Sequence, residues 1–181
     1  GGISMKLSEK TLHQEWLYRG KILNLRRDVV ELSNGHQALR EVVEHSGGVC
    51  VLPVDQEGWV LLVRQYRHPY QEVVLEAPAG KRNPGEEPLA CGIRELEEET
   101  GCVAQEYIDL GTLYPSPGYC GEVIHIYAAL GLTRTQQHLD EDEFLDVVPM
   151  PLQEALDLVR NNQLPDAKTQ VALLKYSLLA R

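Results

Sequence analysis

The chain opens with short apolar runs separated by turn residues, a pattern typical of β-strands. Between residues 15 and 45, apolar and polar positions alternate on both sides of Asn34-Gly35, which predicts an antiparallel hairpin. Denser apolar runs at 49–54 and 59–63 predict two strands of a core sheet. A further strand is predicted at 73–75, after which the chain is expected to leave the sheet.

A helix is predicted between Pro88 and Thr100. Leu89, Ile93 and Leu96 recur there at spacings of four and three, which indicates one apolar stripe facing the core. Gly101 is expected to end the helix.

The second half of the chain returns to strands and then ends in helices. Strand patterns occupy 108–113 and 123–130, and helical spacing of apolar residues follows at 152–159 and 171–178. Strands with one helix among them and two behind favour an α+β fold, in which helices pack on a mixed sheet. We expect residues 1–45 to form an N-terminal β extension and residues 46–181 the main domain.

Composition narrows the classes of function. The chain has 181 residues and a formal net charge of -10, which is enough length for one substantial core and a charge that repels nucleic acid. No apolar stretch approaches the roughly 20 residues of a membrane span, so a cytoplasmic location without membrane association is predicted. The residues before Met5 are interpreted as a remnant of cloning, and the four cysteines as free thiols.

Three glutamates of the predicted helix lie within one turn of each other. Helical geometry places Glu95, Glu98 and Glu99 on one face, while Glu97 points away. Such like charges destabilise an isolated helix by roughly 0.2–0.5 kcal/mol per pair. A bound divalent cation such as Mg²⁺ would offset this repulsion. From these three residues alone, a solvated acidic face is an equally good interpretation.

The surroundings of this patch resemble a known motif. The pattern G-x5-E-x7-R-E-U-x-E-E-x-G, where U is aliphatic, is formed by Gly80, Glu86, Arg94, Glu95, Leu96, Glu98, Glu99 and Gly101. It resembles the signature of the Nudix hydrolases, and Cys102 departs from the family only by standing where an aliphatic residue is usual. The resemblance implies the Nudix fold, a mixed sheet sandwiched between helices, and hydrolysis of a nucleoside diphosphate linked to another group.

The resemblance also implies roles for the residues of the motif. Glu95 and Glu99 would bind Mg²⁺, with Mn²⁺ as a substitute, and Glu98 would assist as both a ligand and a catalytic residue. Gly80 is expected to permit a sharp exit from the preceding strand and to turn the Ala79 carbonyl toward the cation.

Two supporting residues complete the predicted catalytic set. Arg94 is expected to hold the carboxylates through charge-assisted hydrogen bonds, and Glu86 to stabilise the loop and the helix.

Other segments resemble the ADP-ribose pyrophosphatases within this family. The proline-marked loop after the motif implies substrate contacts from Ser116, Gly118 and Glu122, although such a turn alone is usually only a turn. Arg67 resembles an arginine that contacts substrate phosphate or ribose. Shorter matches in the N-terminal part imply contacts to the adenine, partly across a homodimer interface, from Lys21, Ile22, Arg40 and Glu41. It is an equally good interpretation that these four are ordinary hairpin residues.

An acidic run at residues 140–143 resembles the loop that supplies a general base in the ADP-ribose pyrophosphatases. By this resemblance Glu141 is the candidate base and Glu143 a further metal ligand, within a register of one or two residues. The expected reaction converts ADP-ribose to AMP and ribose 5-phosphate. The alternatives are another nucleotide sugar, such as GDP-mannose or ADP-glucose, and a Nudix-fold module that senses ADP-ribose without cleaving it.

Overall fold

A computed structural model describes residues 7–141 and 143–179, which form two compact units. The first unit consists of the N-terminal residues up to Ser46 together with the loop Ser116–Glu122. The second unit contains Gly47–Pro115 and the chain from Val123 onward. The interpretation of Gly1–Ser4 and the position of Asp142 lie outside the described residues.

The first unit is built on a three-stranded antiparallel sheet. Its strands are β1 (Lys10–Arg19), β2 (Asn24–Glu31) and β3 (Gln37–Glu44), with β2 in the centre. The turn predicted at Asn34-Gly35 joins β2 to β3, and Gly35 adopts a φ of 82°, which favours glycine. Strand β1 was not predicted as a separate element, and all ten of its residues are exposed.

The second unit contains nine strands and three helices within the residues that the structure describes. The strands are β4 (Gly48–Val54), β5 (Trp59–Arg67), β6 (Glu72–Glu76), β7 (Ala79–Lys81), β8 (Cys102–Val103), β9 (Glu106–Leu113), β10 (Ile124–Leu130), β11 (Thr133–Arg134) and β12 (Leu145–Pro151). The helices are α1 (Pro88–Thr100), α2 (Leu152–Arg160) and α3 (Ala167–Leu179). The predicted strands and helices of this unit are therefore confirmed, and the short strands and β12 are additions to the prediction.

The main sheet has the order β12-β5-β4-β10-β9, with β6 beside β5 and β7 beside β4. Strand β10 runs parallel to β4 and the other pairs are antiparallel, which confirms a mixed sheet. Every residue of β4 is buried because helices cover both faces of this strand. Cys50 and Leu52 pack with residues of α2 and α3, whereas Val49 and Val51 pack with Leu96 of α1.

Helix α1 begins and ends where the sequence predicts. Pro88 occupies its first turn, and Gly101 caps its C-terminus with a φ of 62° while its amide donates to the Glu97 carbonyl at 2.8 Å. This helix follows β7 after a short loop and carries the glutamates of the motif.

Candidate active site

The face of α1 that packs inward differs from the predicted stripe. Leu96 is fully buried, but Leu89 and Ile93 are each 39% exposed, so the prediction that all three face the core is wrong. The helix approaches β4 through Gly92, where an added Cβ would lie 3.0 Å from side-chain atoms of both Val49 and Val51. This close approach rotates the helix so that its buried residues are Cys91, Gly92, Glu95, Leu96 and Glu99.

Two acidic side chains therefore face the interior of the protein. Glu95 is 7% exposed and Glu99 is 2% exposed, while Glu98 is only partly buried. Glu97 has a different neighbour, Tyr107, whose pKa is raised mainly by burial and further by the charge of Glu97. The three glutamates of the motif thus share one region but differ strongly in their contact with solvent.

Arg94 joins these carboxylates to the preceding loop. Its Nη1 donates to Glu95 and to Glu98, both at 2.8 Å. Its Nε and Nη2 donate to the two oxygens of Glu86 at 2.9 and 3.1 Å. The bonds to Glu95 and Glu98 are of the kind expected of Arg94, whereas the bonds to Glu86 were not expected. A single guanidinium thus connects three carboxylates.

Glu86 organises the loop between β7 and α1. Its carboxylate accepts a hydrogen bond from the Asn83 amide at 2.8 Å, and its carbonyl accepts from Arg82. Hydrogen bonds from Arg94 are the main reason that the pKa of Glu86 falls to about 2. Glu86 therefore remains ionised and ties the loop to the helix through Arg94.

Strand β7 brings backbone against the buried glutamates. The Ala79 amide donates to Glu99 Oε2 at 3.1 Å. At Gly80, an added Cβ would lie only 1.9 Å from the carboxyl carbon of Glu95. The expected reason for this glycine, a sharp exit from the strand, is wrong: Gly80 lies within β7 without a positive φ, and the carboxylate occupies the space that a side chain would need.

Burial and mutual repulsion change the acidity of the buried pair. Burial is the main cause that raises the pKa of Glu99 from 4.5 to about 8, followed by the charges of Glu95 and Glu143. Burial also raises the pKa of Glu95, although Arg94 opposes the shift. These carboxylates lie in a place where a further positive charge would be stabilising.

The donors suit a hard divalent cation, which prefers carboxylate oxygens. Within residues 7–141 and 143–179, no three side chains of histidine, cysteine, aspartate or glutamate lie close enough together to hold a metal ion in their present conformations. Arg94 supplies the positive charge between Glu95 and Glu98 instead. The fit of this site to a divalent cation therefore rests on the carboxylate donors and on the unfavourable burial of Glu95 and Glu99. The role of the Ala79 carbonyl as a ligand stays a prediction.

The loop predicted to carry the base lies before β12. Glu141 is exposed, whereas Glu143 is half-buried and its charge contributes to raising the pKa of both Glu95 and Glu99. Glu143 also lines a cavity of about 500 Å³ together with Tyr66. The structure thus brings Glu143 into electrostatic contact with the glutamates of α1.

Arg67 is held by a buried carboxylate. Its Nε and Nη2 donate to the two oxygens of Glu76 at 2.6 and 2.7 Å, and Glu76 is 2% exposed. Sequence reasoning gave Glu76 no role, and it also overlooked its second partner, Lys168. The sequence does carry a signal for the helix that contains Lys168. Asp166 and Thr169 are three residues apart, a spacing that is typical of the start of a helix.

The predicted substrate residues of the first unit fall into separate groups. Arg40, Glu41 and Gly118 line a common cavity of about 410 Å³, and Arg40 is also paired with Glu9. Three others lie elsewhere: Lys21 and Ile22 are in the connection between β1 and β2, and Glu122 lies 3.3 Å from His45. Ser116 contributes its carbonyl to a turn, where it accepts from the Cys120 amide at 2.9 Å.

The fold and this site define a class of protein. The chain matches the NUDIX domain over residues 44–172 and the nucleoside diphosphate sugar hydrolase N-terminal domain over residues 9–43. It therefore belongs to the Nudix hydrolase family, and it is an enzyme of that family.

Individual relatives are similar over most of their length. The chain is 42% identical to an ADP-ribose pyrophosphatase of Bacillus subtilis (strain 168), over 92% of this chain and 91% of the relative. It is 40% identical to a methanol dehydrogenase activator of Bacillus methanolicus, over 91% of this chain and 90% of that protein. A GDP-mannose pyrophosphatase of Yersinia pestis (strain Pestoides F) is 33% identical over 78% of this chain and 75% of its own length.

A solved structure shows the same fold. It is described as the crystal structure of an ADP compounds hydrolase, and it matches with a TM-score of 0.85 at 25% identity. The match covers 98% of this chain and 96% of the other. Within the described residues, no helix is both long enough and apolar enough to cross a membrane.

Proposed function

We propose that this protein hydrolyses the diphosphate of ADP-ribose, with Mg²⁺, to AMP and ribose 5-phosphate. The observation that carries this proposal is the 42% identity, across nearly the whole chain, to a protein named ADP-ribose pyrophosphatase. The buried carboxylates of α1 support it, because a diphosphate needs its charge neutralised before water can attack phosphorus.

Glu95, Glu98 and Glu99 of α1 would hold the cation, with the Ala79 carbonyl and Glu143 as further ligands. When bound, a divalent cation lowers the pKa of coordinated water and polarises phosphoryl oxygens. Arg94 would keep Glu95 and Glu98 oriented toward the cation, since it already bonds both of them. Mn²⁺ offers the same preference for carboxylate oxygens and is our proposed substitute.

Glu141 is the proposed general base. Its side chain is exposed, so it can accept a proton from a water molecule that approaches phosphorus from solvent. Glu143 has a different environment, because it is half-buried and interacts electrostatically with Glu95 and Glu99. This difference supports a division of roles in which Glu141 moves the proton and Glu143 faces the cation.

Arg67 is the proposed contact to substrate phosphate or ribose in the second unit. The pair with Glu76 uses Nε and Nη2, which leaves Nη1 for the substrate. The remaining proposed contacts belong to the first unit and are Lys21, Ile22, Arg40, Glu41, Ser116, Gly118 and Glu122.

We propose that the protein is a homodimer that associates through its N-terminal unit, residues 1–45, with residues 46–181 as the catalytic domain. Strand β1 exposes Trp16, Leu17 and Tyr18 by 40%, 44% and 58%, which is apolar area that a second copy would cover. We also propose a cytoplasmic location, since the buried thiols Cys50 and Cys91 suit a reducing compartment. The net charge of -10 supports the absence of a nucleic-acid partner.

A second candidate substrate is GDP-mannose, because a relative that is 33% identical is named GDP-mannose pyrophosphatase. The two substrates differ in base and sugar but present the same diphosphate. A sensor that binds ADP-ribose without cleaving it is less well supported, since all three carboxylates of the motif are present.

Product analysis distinguishes these candidates. The protein is incubated with Mg²⁺ and separately with ADP-ribose, GDP-mannose, NADH and ADP-glucose, and the products are separated by ion-exchange chromatography. We expect AMP and ribose 5-phosphate from ADP-ribose at the highest rate, and loss of that rate in Glu99→Gln but not in Glu97→Gln. Faster release of GMP from GDP-mannose would reject ADP-ribose as the preferred substrate, and no cleavage of any compound would favour a sensor.

A further inference from the structure

The first turn of α3 contains a cluster of polar side chains that the proposed reaction does not use. Asp166 caps this helix, because its Oδ2 accepts from the Thr169 amide at 3.0 Å and from the Thr169 hydroxyl at 2.5 Å. Lys168 lies in the same turn, where the helix dipole disfavours a positive charge. Its position therefore needs another explanation.

Lys168 is held by carboxylates. Its Nζ lies 2.5 Å from Glu76 Oε2 and 2.9 Å from Asp166 Oδ1, and its side chain is only 13% exposed. Glu76 also accepts both hydrogen bonds from Arg67. Removing one member of such a buried group leaves an uncompensated charge, so the four side chains hold each other in place.

The cluster lies at the end of β6, where four consecutive residues lead to the candidate cation site. Each of the four makes a hydrogen bond to the second unit, and the first turn of α3 holds the first two of them. Lys168 and Arg67 bind the side chain of Glu76, and the Thr169 hydroxyl accepts a hydrogen bond from the Ala77 amide at 2.7 Å. The Pro78 carbonyl accepts from the Val51 amide at 2.8 Å. The Ala79 amide donates to Glu99 at 3.1 Å.

We propose that Lys168 and Thr169 are positioning residues that fix residues 76–79 against the carboxylates of α1. Thr169 is fully buried and Ala77 is 1% exposed, so the amide of Ala77 has no access to water in place of this hydroxyl. A shift of Ala77 moves Ala79 as well, since only Pro78 separates them and its φ is fixed by its ring. This inference rests on the proposed function in one respect: it takes Glu95 and Glu99 as the cation site.

The apolar contacts of α3 do not require this cluster. Ala172 and Leu173 are fully buried and pack with the core beneath the sheet. A helix that only needed to be anchored would be held by such residues. The hydroxyl of Thr169 and the ammonium of Lys168 act on one specific segment, which is the one that faces Glu99.

Matched substitutions at Thr169 separate positioning from simple packing. Thr169→Val keeps the shape of the side chain but leaves the Ala77 amide without an acceptor, whereas Thr169→Ser keeps the hydroxyl. Thr112→Val is the control, because Thr112 is exposed on β9.

Two measurements that do not depend on turnover provide the test. The first is amide exchange of Ala77 and Ala79 by NMR, and the second is the affinity for Mn²⁺, measured from the electron paramagnetic resonance signal of the free ion. Loss of one buried hydrogen bond is expected to weaken Mn²⁺ binding about tenfold in Thr169→Val. Exchange should accelerate at both amides, while Thr169→Ser and Thr112→Val stay close to the wild type.

The inference is overturned if Thr169→Val exchanges faster at Ala77 alone and binds Mn²⁺ as the wild type does. Equal weakening in Thr169→Ser would also overturn it, because the hydroxyl would then be irrelevant. Should Thr169→Val fail to fold, Lys168→Met is measured in the same way, again with Thr112→Val as the control. Wild-type protein that binds Mn²⁺ but cleaves no ADP-ribose would reject the proposed function and leave this inference standing.

Discussion

Replacing Glu99 with glutamine should have opposite effects on stability and on activity. In the absence of a cation, Glu99 is a buried acid whose neutral form is favoured, so a neutral glutamine of the same shape should make the folded protein more stable. The glutamine oxygen can still accept the hydrogen bond from the Ala79 amide. Glutamine cannot supply a negative charge to a cation, so hydrolysis should fall by at least about a hundredfold.

The size of the stability effect follows from the pKa of Glu99. It is raised from 4.5 to about 8 in the folded protein, so the folded state binds the proton more tightly than the unfolded state. The stability associated with this proton is fully present below pH 4.5 and is lost as the pH rises through 8. At about 1.4 kcal/mol per pKa unit, the wild type loses about 3 kcal/mol by pH 7.

Thermal unfolding in EDTA at several pH values measures this effect. Glu99→Gln should lack the loss between pH 5 and 8. At pH 7 it should unfold roughly 6–12 °C above the wild type, since about 3 kcal/mol is regained at about 2–4 °C per kcal/mol. Adding Mg²⁺ should raise the Tm of the wild type by mass action but leave that of the variant nearly unchanged. Glu97→Gln is the control, because Glu97 lies outside the set of carboxylates that Arg94 connects.

Two results would refute this reasoning. One is a Glu99→Gln variant that is less stable than the wild type in EDTA at pH 8, which would mean that the charge of Glu99 is already compensated in the protein. The other is a variant that gains as much stability from Mg²⁺ as the wild type, which would remove Glu99 from the cation site.

Four further substitutions test the surroundings of the site. Gly80→Ala should displace the carboxylate of Glu95, and we expect at least about a tenfold rise in the Mg²⁺ concentration for half-maximal activity; an unchanged value would show that Glu95 is not a ligand. Arg94→Lys should lower the Tm by several degrees and kcat by roughly tenfold or more, since lysine cannot bond three carboxylates in one plane; a variant with wild-type kcat would limit Arg94 to stability. Glu141→Gln should lower kcat while the affinity for Mn²⁺ is retained, whereas Glu143→Gln should weaken Mn²⁺ binding; the reverse outcome would exchange the roles of the two residues.

The spacing of apolar residues predicted those strands and helices that are buried on one face or on all sides. Helix α1 has the predicted bounds because a proline starts it and a glycine ends it, and both signals act locally. Strand β12 was missed because Pro149 and Pro151 argue against a strand, although it pairs with β5 at the edge of the main sheet, where such residues are tolerated. Strand β1 was missed because none of its residues is buried in this chain, so its apolar positions mark no core face.

The candidate site was predictable as a set of charges, but its orientation was not. Spacing along α1 placed the glutamates near one another, since helix geometry alone determines this. It also made Leu89 and Ile93 the buried side, because apolar residues are normally inside. The close approach of β4 at Gly92 instead turns the acidic side of the helix toward the core. Such a contact between segments that are distant in sequence leaves no periodic pattern of apolar residues.

The orientation of α1 has an energetic consequence for the proposed function. Rotation of the helix by a fraction of a turn would expose Glu95 and Glu99 to water and bury Leu89 and Ile93, which would favour both the charges and the apolar side chains. Gly80 and Gly92 instead allow the acidic side of the helix to face the interior. This arrangement costs stability without a cation, so under the proposed function its benefit would arise when one is bound. The same burial that raises the pKa of Glu99 would then strengthen its interaction with the metal.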